Sequence, residues 1–153
     1  MHDVTPLIVA LDHPSLCTVV DDFADELRSE QRFFGRQGTP APFPSLINRL
    51  TSVGALRLGA QVDGRLVAMS RVSSRGDTTI AVVADMRCRG IGRALLSATL
   101  QRSGELGMGR LILRSSHRSR SVAAMGAAVG ATMLDQGCGR LDLILPVQVV
   151  QSA

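Results

Sequence analysis

A loop that contains two glycines and three arginines is the feature that most restricts how this chain can fold. Its sequence is Arg87-Cys88-Arg89-Gly90-Ile91-Gly92-Arg93, and it lies between the β-branched run 78–84 and a helical pattern of apolar residues that extends to Leu106. A strand is therefore predicted to turn through a glycine loop into a helix. The N-terminus of a helix presents unpaired backbone N–H groups and a partial positive charge, which together attract phosphate.

The residue types in this loop predict an anion site, and a diphosphate fits them better than a single carboxylate. Gly90 and Gly92 carry no Cβ, so a ligand can approach the main chain closely. Arg87, Arg89 and Arg93 add formal charge around the same point, and the planar guanidinium fork suits phosphate oxygens. A tight turn with solvated arginines is the alternative interpretation.

Two familiar phosphate loops are excluded by particular residues. A dinucleotide-binding loop needs glycine or alanine at the third position of GxGxxG, where this chain has Leu95. A P-loop needs a Gly-Lys pair before Ser or Thr, and all 17 basic residues of this chain are arginine. The loop therefore belongs to another class of phosphate site.

Turn signals and hydrophobic periodicity predict the order of the remaining elements. Asp63-Gly64 between two strand-like runs is the strongest short-range signal for a tight hairpin, and the run 78–84 adds a third strand to this meander. The other predicted elements are strand 4–10, helix 15–34, loop 35–44, helix 43–51, strands 56–62 and 65–73, helix 91–106, strand 110–115, helix 119–129 and a closing hairpin of strands 131–134 and 140–145. A length of 153 residues predicts one domain, residues 1–153.

The segment from Val82 to Leu96 resembles the signature of the GNAT superfamily of acyl-coenzyme A dependent N-acyltransferases, Gln/Arg-x-x-Gly-x-Gly/Ala. The order of elements from Leu56 to Leu145 follows the same family, and Arg32-Phe33-Phe34-Gly35 resembles the GNAT domain of bacterial protein acetyltransferases. The resemblance implies an α+β fold of the α/β sandwich type. Its mixed, mostly antiparallel sheet would have about six to seven strands flanked by helices, with the fourth and fifth strands splayed.

The resemblance also implies acetyl-CoA (coenzyme A) as the cofactor and assigns roles to residues. The loop residues Arg87, Cys88, Arg89, Gly90, Ile91, Gly92 and Arg93 would hold the diphosphate. The backbone of Val82 and Val83 would pair with the pantetheine arm, and a backbone N–H near Val83 would stabilise the oxyanion formed at the thioester. Ser119 stands where many family members have an asparagine that contacts the cofactor arm.

Two side chains that the family uses for proton transfer are absent. Attack on the thioester requires an unprotonated amine, so these enzymes commonly use a general base and sometimes an acid. The base is a glutamate at the position of Thr78, and the acid is a tyrosine near Gly126, although the chain contains no tyrosine. Thr78, through an ordered water, and His117, whose imidazole titrates in a suitable range, are the candidate substitutes. A solvated surface histidine is the alternative for His117.

Two functions follow from this combination of features. The first is an N-acetyltransferase in which a primary amine, on a small molecule or a protein, attacks acetyl-CoA directly in a ternary complex. The second is a non-catalytic module that binds or senses acyl-CoA, since the expected glutamate and tyrosine are missing. Both functions require the diphosphate loop.

Composition narrows the remaining possibilities. No run approaches the ~20 apolar residues that a membrane span needs, and the N-terminus lacks the basic region of a signal peptide, so a cytoplasmic location without a membrane partner is expected. Aromatic residues make up 3% of the chain, which leaves few platforms for stacking bases, so no nucleic-acid partner is expected. Three widely spaced cysteines without a CxxC motif predict no metal site. The resemblance allows a homodimer.

Overall fold

A computed structural model describes residues 4–34, 43–116, 120–137 and 140–148. The strands in chain order are β1 (Leu7–Ala10), β2 (Leu56–Val62), β3 (Arg65–Val72), β4 (Asp77–Val82), β5 (Arg110–Ser116), β6 (Thr132–Gly137) and β7 (Arg140–Pro146). The α-helices are α1 (Cys17–Phe34), α2 (Phe43–Thr51), α3 (Ile91–Glu105) and α4 (Arg120–Ala128). Short 3-10 turns lie at Pro14–Leu16 and Ala84–Met86.

The strands form one seven-stranded sheet in the order β1-β2-β3-β4-β5-β7-β6. All neighbouring strands are antiparallel except β4 and β5, which run parallel. Their pairing comprises only Asp77 with Ile112 and Thr78 with Leu113, so the two strands separate toward their C-terminal ends. The predicted α+β fold, with a mixed sheet and splayed fourth and fifth strands, is confirmed.

The hairpin between β2 and β3 has the predicted two-residue turn. Asp63 and Gly64 have φ angles of 51° and 77°, and the flanking residues Val62 and Arg65 are directly paired. Positive φ at both central residues is the type I′ geometry, whose twist matches that of the flanking strands. The hairpin places Arg65 at the end of the sheet where β4 finishes.

Helices cover both faces of the sheet around β3. Every residue from Leu66 to Ser70 is buried, and α1, α2 and α3 all pack against this strand. Because successive side chains of a strand point to opposite faces, this burial means that both faces are covered. A buried hydrogen bond of 2.8 Å joins the hydroxyls of Ser70 and Thr99 and fixes α3 over the centre of the sheet. No α-helix in the described ranges is long and apolar enough to cross a membrane.

Gly104 near the end of α3 allows the segment after β7 to pack closely on that helix. A Cβ built at Gly104 would lie 2.1 Å from the backbone oxygen of Gln148, whereas a Cβ at Gly109 meets nothing within 4 Å. We expect Gly104→Ala to lower the free energy of unfolding by about 2 kcal/mol, because backbone must move and the gain in helix propensity is smaller. Gly109→Ala is the matched control and should leave stability unchanged in a denaturant titration. Equal stability of the two variants would contradict this packing.

Candidate cofactor site

The connection between β4 and α3 is an irregular turn with two left-handed residues. Val83 leads into the 3-10 turn Ala84–Met86, Arg87 is extended with φ −71°, and Cys88 and Gly90 have φ of 62° and 80°. Gly90 caps α3, which begins at Ile91. Glycine adopts the left-handed region without cost, whereas cysteine rarely does. The sequence therefore indicates the turn at Gly90 but not the one at Cys88.

Six consecutive backbone N–H groups in this turn have no hydrogen-bond partner among the described residues. They belong to Cys88, Arg89, Gly90, Ile91, Gly92 and Arg93, and the first intrahelical bond runs from the N–H of Ala94 to the oxygen of Gly90 at 3.0 Å. Successive amides around left-handed residues form a concave anion-binding nest, and the helix dipole adds partial positive charge. We call these six groups the amide nest. It has the donors that a diphosphate requires.

The side chains of the loop residues divide into anchors and free charges. Ile91 is 1% exposed and fixes the start of α3 in the core, so it offers a ligand only its amide. Arg87 donates from Nε to the backbone oxygen of Val82 at 3.0 Å, which ties its guanidinium to the end of β4. Arg89, Arg93 and the Cys88 thiol are exposed around the amide nest. Arg89 and Arg93 are thus the arginines whose charge is best placed to meet an anion.

Gly92 has a packing role that the sequence does not indicate. A Cβ at this position would lie 3.2 Å from Sδ of Met125 and 3.4 Å from Cγ2 of Val82. The glycine therefore lets the first turn of α3 approach both β4 and α4. Gly92 therefore allows close packing of helix and strand, in addition to the close ligand approach that the sequence predicts.

The end of β4 exposes a different amide from the one expected. The N–H of Val83 donates to the oxygen of Val67 in β3 at 2.9 Å, so it is occupied within the sheet. Hydrogen bonding alternates along an antiparallel pair, so the backbone groups of Val82 point away from β3 toward the β5 side. Gly76 lies an even number of residues before Val82, so its backbone groups point to the same side. Its oxygen accepts a hydrogen bond from the N–H of Ile112 in β5 at 2.9 Å. Since the pairing with β5 ends at Thr78, the N–H of Val82 opens into the splay.

Thr78 lies in the paired part of β4 rather than in the splay. Its side chain is 5% exposed, its hydroxyl donates to the oxygen of Gly76 at 3.1 Å, and its backbone is opposite Leu113. It lies four positions before Val82 on the strand, a distance of about 13 Å. The short, engaged hydroxyl is therefore poorly placed to act as a base at the same centre. His117 and Ser119 lie outside the described residues.

Asp142 on β7 is a carboxylate that sequence reasoning missed. It is 7% exposed and is the one acidic residue among the buried residues of the described part of the chain. In the register of β5 and β7 it is opposite Arg114, one residue beyond the last residue of β5 that pairs with β4. Asp142 therefore lies at the level where the splay begins. Within the described residues, no three His, Cys, Asp or Glu side chains are grouped to hold a metal ion.

The N-terminal segment is hydrogen-bonded to the loop. The N–H of Val4 donates to the backbone oxygen of Arg89 at 3.0 Å, which orients the peptide between Arg89 and Gly90. An open cavity of about 680 Å³ lies beside this contact, on the side of the loop near β1 and β2, and Val4, Leu7, Asp63, Gly64, Met86 and Arg89 are among the residues that line it. No sequence pattern indicates that residue 4 contacts residue 89.

A three-residue charge network joins the turn to the hairpin and to α1. Arg65 donates from Nη1 and Nη2 to the two carboxylate oxygens of Asp85, at 3.0 and 3.3 Å, and Nη2 also contacts Glu26 of α1. The hydrogen bond to Asp85 raises the pKa of Arg65 above its ordinary value. The same bond holds the pKa of Asp85 below its ordinary value, and the charge of Arg89 acts in the same direction. Asp85 therefore stays ionised beside the loop.

The fold is shared with solved acetyltransferase structures at low sequence identity. The GNAT domain of S. lividans PAT is 17% identical, with a TM-score of 0.71 and coverage of 94% of this chain and 92% of that one. The ribosomal-protein-S18-alanine N-acetyltransferase of Escherichia coli is 16% identical, with a TM-score of 0.64 and 97% coverage of both chains. Paia N-acetyltransferase of Thermoplasma acidophilum, solved with coenzyme A, is 13% identical, with a TM-score of 0.67 and coverage of 94% and 99%.

No curated protein matches the chain at a significant level. Residues 21–127, however, match the acetyltransferase (GNAT) family, and this segment includes β4, the whole amide nest and α3. The match extends over more than half of the chain, and the splayed sheet and the loop geometry agree with it. The chain therefore belongs to the GNAT family of acetyltransferases.

Proposed function

We propose that the chain is an N-acetyltransferase that moves the acetyl group of acetyl-CoA to a primary amine, on a small molecule or a protein, within a ternary complex. The observation that carries the proposal is the amide nest, which directly follows the strand whose last N–H opens into the splay. Among solved structures with this fold, paia was determined with coenzyme A and yncA of Salmonella typhimurium with acetyl-CoA. The thioester supplies an activated acetyl group.

The residues of this chain divide the binding task along the cofactor. The amide nest and the guanidinium groups of Arg89 and Arg93 would hold the diphosphate, because charge-assisted bonds to phosphate are stronger than neutral ones. Arg87 would hold the end of β4 in place through the hydrogen bond from its Nε to the backbone oxygen of Val82. The N–H of Val82 would face the pantetheine arm and the thioester carbonyl. Ser119, by its position relative to α4, is the proposed further contact to the arm.

Val82 replaces Val83 as the proposed donor to the oxyanion. Attack by the amine places negative charge on the carbonyl oxygen, and a preorganised N–H stabilises that charge. The Val83 N–H already donates to Val67 and would have to leave the sheet to do this, whereas the Val82 N–H points to the β5 side. The side chain of Val83 is fully buried and stabilises the end of β4.

The amine must lose a proton, and two side chains are proposed to accept it. His117 follows β5 directly in the sequence, and histidine is the side chain that most often serves as a general base. Asp142 lies at the level of the splay, two strands from β4. His117→Ala and Asp142→Asn separate these assignments, since loss of the true base should lower kcat about 10²–10⁴-fold while coenzyme A affinity stays unchanged.

The test is a screen for release of coenzyme A thiol over amines, polyamines, aminoglycosides, amino acids and lysine peptides. The absence of lysine from this chain removes self-acetylation of lysine as a background reaction. The proposal expects at least one acceptor to release thiol in proportion to acetylated product. Tight coenzyme A binding with no turnover for any acceptor class would overturn the catalytic part and leave an acyl-CoA binding module.

A further inference from the structure

We propose that Arg65 is a positioning residue, which holds the Asp85 carboxylate and thereby leaves the Arg89 guanidinium available for the diphosphate. The inference rests on the proposed function and adds a residue that lies outside the loop. Arg65 is separated from Gly90 by most of β3, all of β4 and the turn. No sequence motif connects it to the cofactor.

The contact between Arg65 and Asp85 has the geometry of a specific ion pair. Two parallel N–H···O bonds of 3.0 and 3.3 Å join the guanidinium to both carboxylate oxygens, and Glu26 adds a second carboxylate to the same nitrogen. Exposed ion pairs contribute little unless they are bidentate or belong to a network, and this one is both. The negative charge of Asp85 is thus compensated by Arg65, from the side of the hairpin.

Arg89 lies within the influence of the same carboxylate. Arg89 lines the cavity beside the loop together with Gly64 and Met86, the chain neighbours of Arg65 and Asp85. Its charge contributes to the lowered pKa of Asp85. In the described residues Arg89 has no ion pair within 4.0 Å, whereas Asp85 is paired with Arg65. Asp85 is therefore paired with Arg65, and Arg89 has no carboxylate partner among the described residues.

Loss of Arg65 would change this distribution of charge in a defined direction. An uncompensated Asp85 carboxylate, two residues before Arg87 in the chain, would attract Arg89 and repel an incoming diphosphate. Both effects weaken binding, and both disappear when Asp85 is made neutral. A merely structural network behaves differently, because loss of either partner then damages the loop to a similar extent.

A mutant cycle on coenzyme A affinity tests the proposal by calorimetry. Arg65→Gln should weaken binding about tenfold, which is the effect of losing one charge-assisted contact. Asp85→Asn should bind at least as tightly as the unmodified chain, and the double variant should return to within about threefold of Asp85→Asn. Arg102→Gln, which removes an exposed arginine paired with Glu105 on α3, is the matched control and should have no effect. Equal weakening by Arg65→Gln and Asp85→Asn, or no rescue in the double variant, would overturn the proposal.

A second measurement needs no cofactor. In carboxyl NMR titrations, the pKa of Asp85 should stay below its ordinary value in Arg65→Gln, because Arg89 takes over the carboxylate. It should rise further in the variant that lacks both arginines, where only the backbone hydrogen bond of Asp85 still lowers it. Equal pKa values of Asp85 in Arg65→Gln and in the variant that lacks both arginines would show that Arg89 cannot reach Asp85 and would overturn the inference. Because this result does not depend on coenzyme A, it separates failure of this inference from failure of the proposed function.

Discussion

Replacing Gly90 by valine is expected to weaken coenzyme A binding at least about 100-fold, since several charge-assisted bonds to the amide nest are lost together. Gly90 has φ 80° and caps α3, so a β-branched residue is strained there and the backbone turns away from this geometry. Its new side chain would also lie beside the amides that phosphate oxygens must approach. Calorimetry with coenzyme A measures the loss.

The backbone strain of a left-handed valine must be distinguished from loss of the phosphate site, and Gly107 provides the matched control. It has φ 83° just after α3, and a Cβ there meets nothing within 4 Å. Gly107→Val should share the cost of a left-handed valine, roughly 1–3 kcal/mol of the free energy of unfolding, yet retain coenzyme A affinity. If both variants lose affinity equally, or if Gly90→Val retains it, the amide nest is not the phosphate site.

Replacing Val82 by proline is expected to lower kcat about 10²–10³-fold with the best acceptor from the screen, because it deletes the N–H proposed for the oxyanion. Proline lacks an N–H, and the N–H of Val82 is not used in the ladder with β3. Strand β4 should therefore still form. Coenzyme A affinity, held mainly by the loop, should change less than about tenfold.

Val82→Ala controls for the side chain, whose Cγ2 packs near Gly92. Alanine keeps the N–H, so turnover should stay within about tenfold of the unmodified chain. Val83→Pro is the complementary variant, since it removes the bond to Val67 and should destabilise the fold instead of the reaction. Equal turnover in Val82→Pro and Val82→Ala would remove Val82 from the mechanism.

The sequence predicted the elements whose determinants are local. The Asp63-Gly64 turn needs only two residues that tolerate positive φ, and Gly90 needs only a left-handed cap, so both could be located from residue type. Strand β2, with bounds Leu56–Val62, agrees with its prediction for the same reason. The predicted closing hairpin placed its first strand at 131–134, whereas β6 extends over Thr132–Gly137, because pairing with β7 continues through Asp135 to Gly137.

Features of the site that depend on long-range contacts could not be predicted in this way. Whether Val82 or Val83 offers its N–H depends on the register of β3 and β4, and a shift by one residue exchanges the two. The left-handed Cys88 is held by the surrounding turn, against the preference of the residue itself. The contacts of Val4 with Arg89 and of Arg65 with Asp85 join segments far apart in sequence.

Calorimetry of the unmodified chain with coenzyme A, and in parallel with pantetheine, which lacks the phosphates, tests the central claim most directly. If the amide nest binds the diphosphate, coenzyme A should bind at one site per chain and pantetheine should bind at least about 100-fold more weakly. Equal affinity for the two compounds, or no heat with coenzyme A at millimolar concentration, would contradict the account.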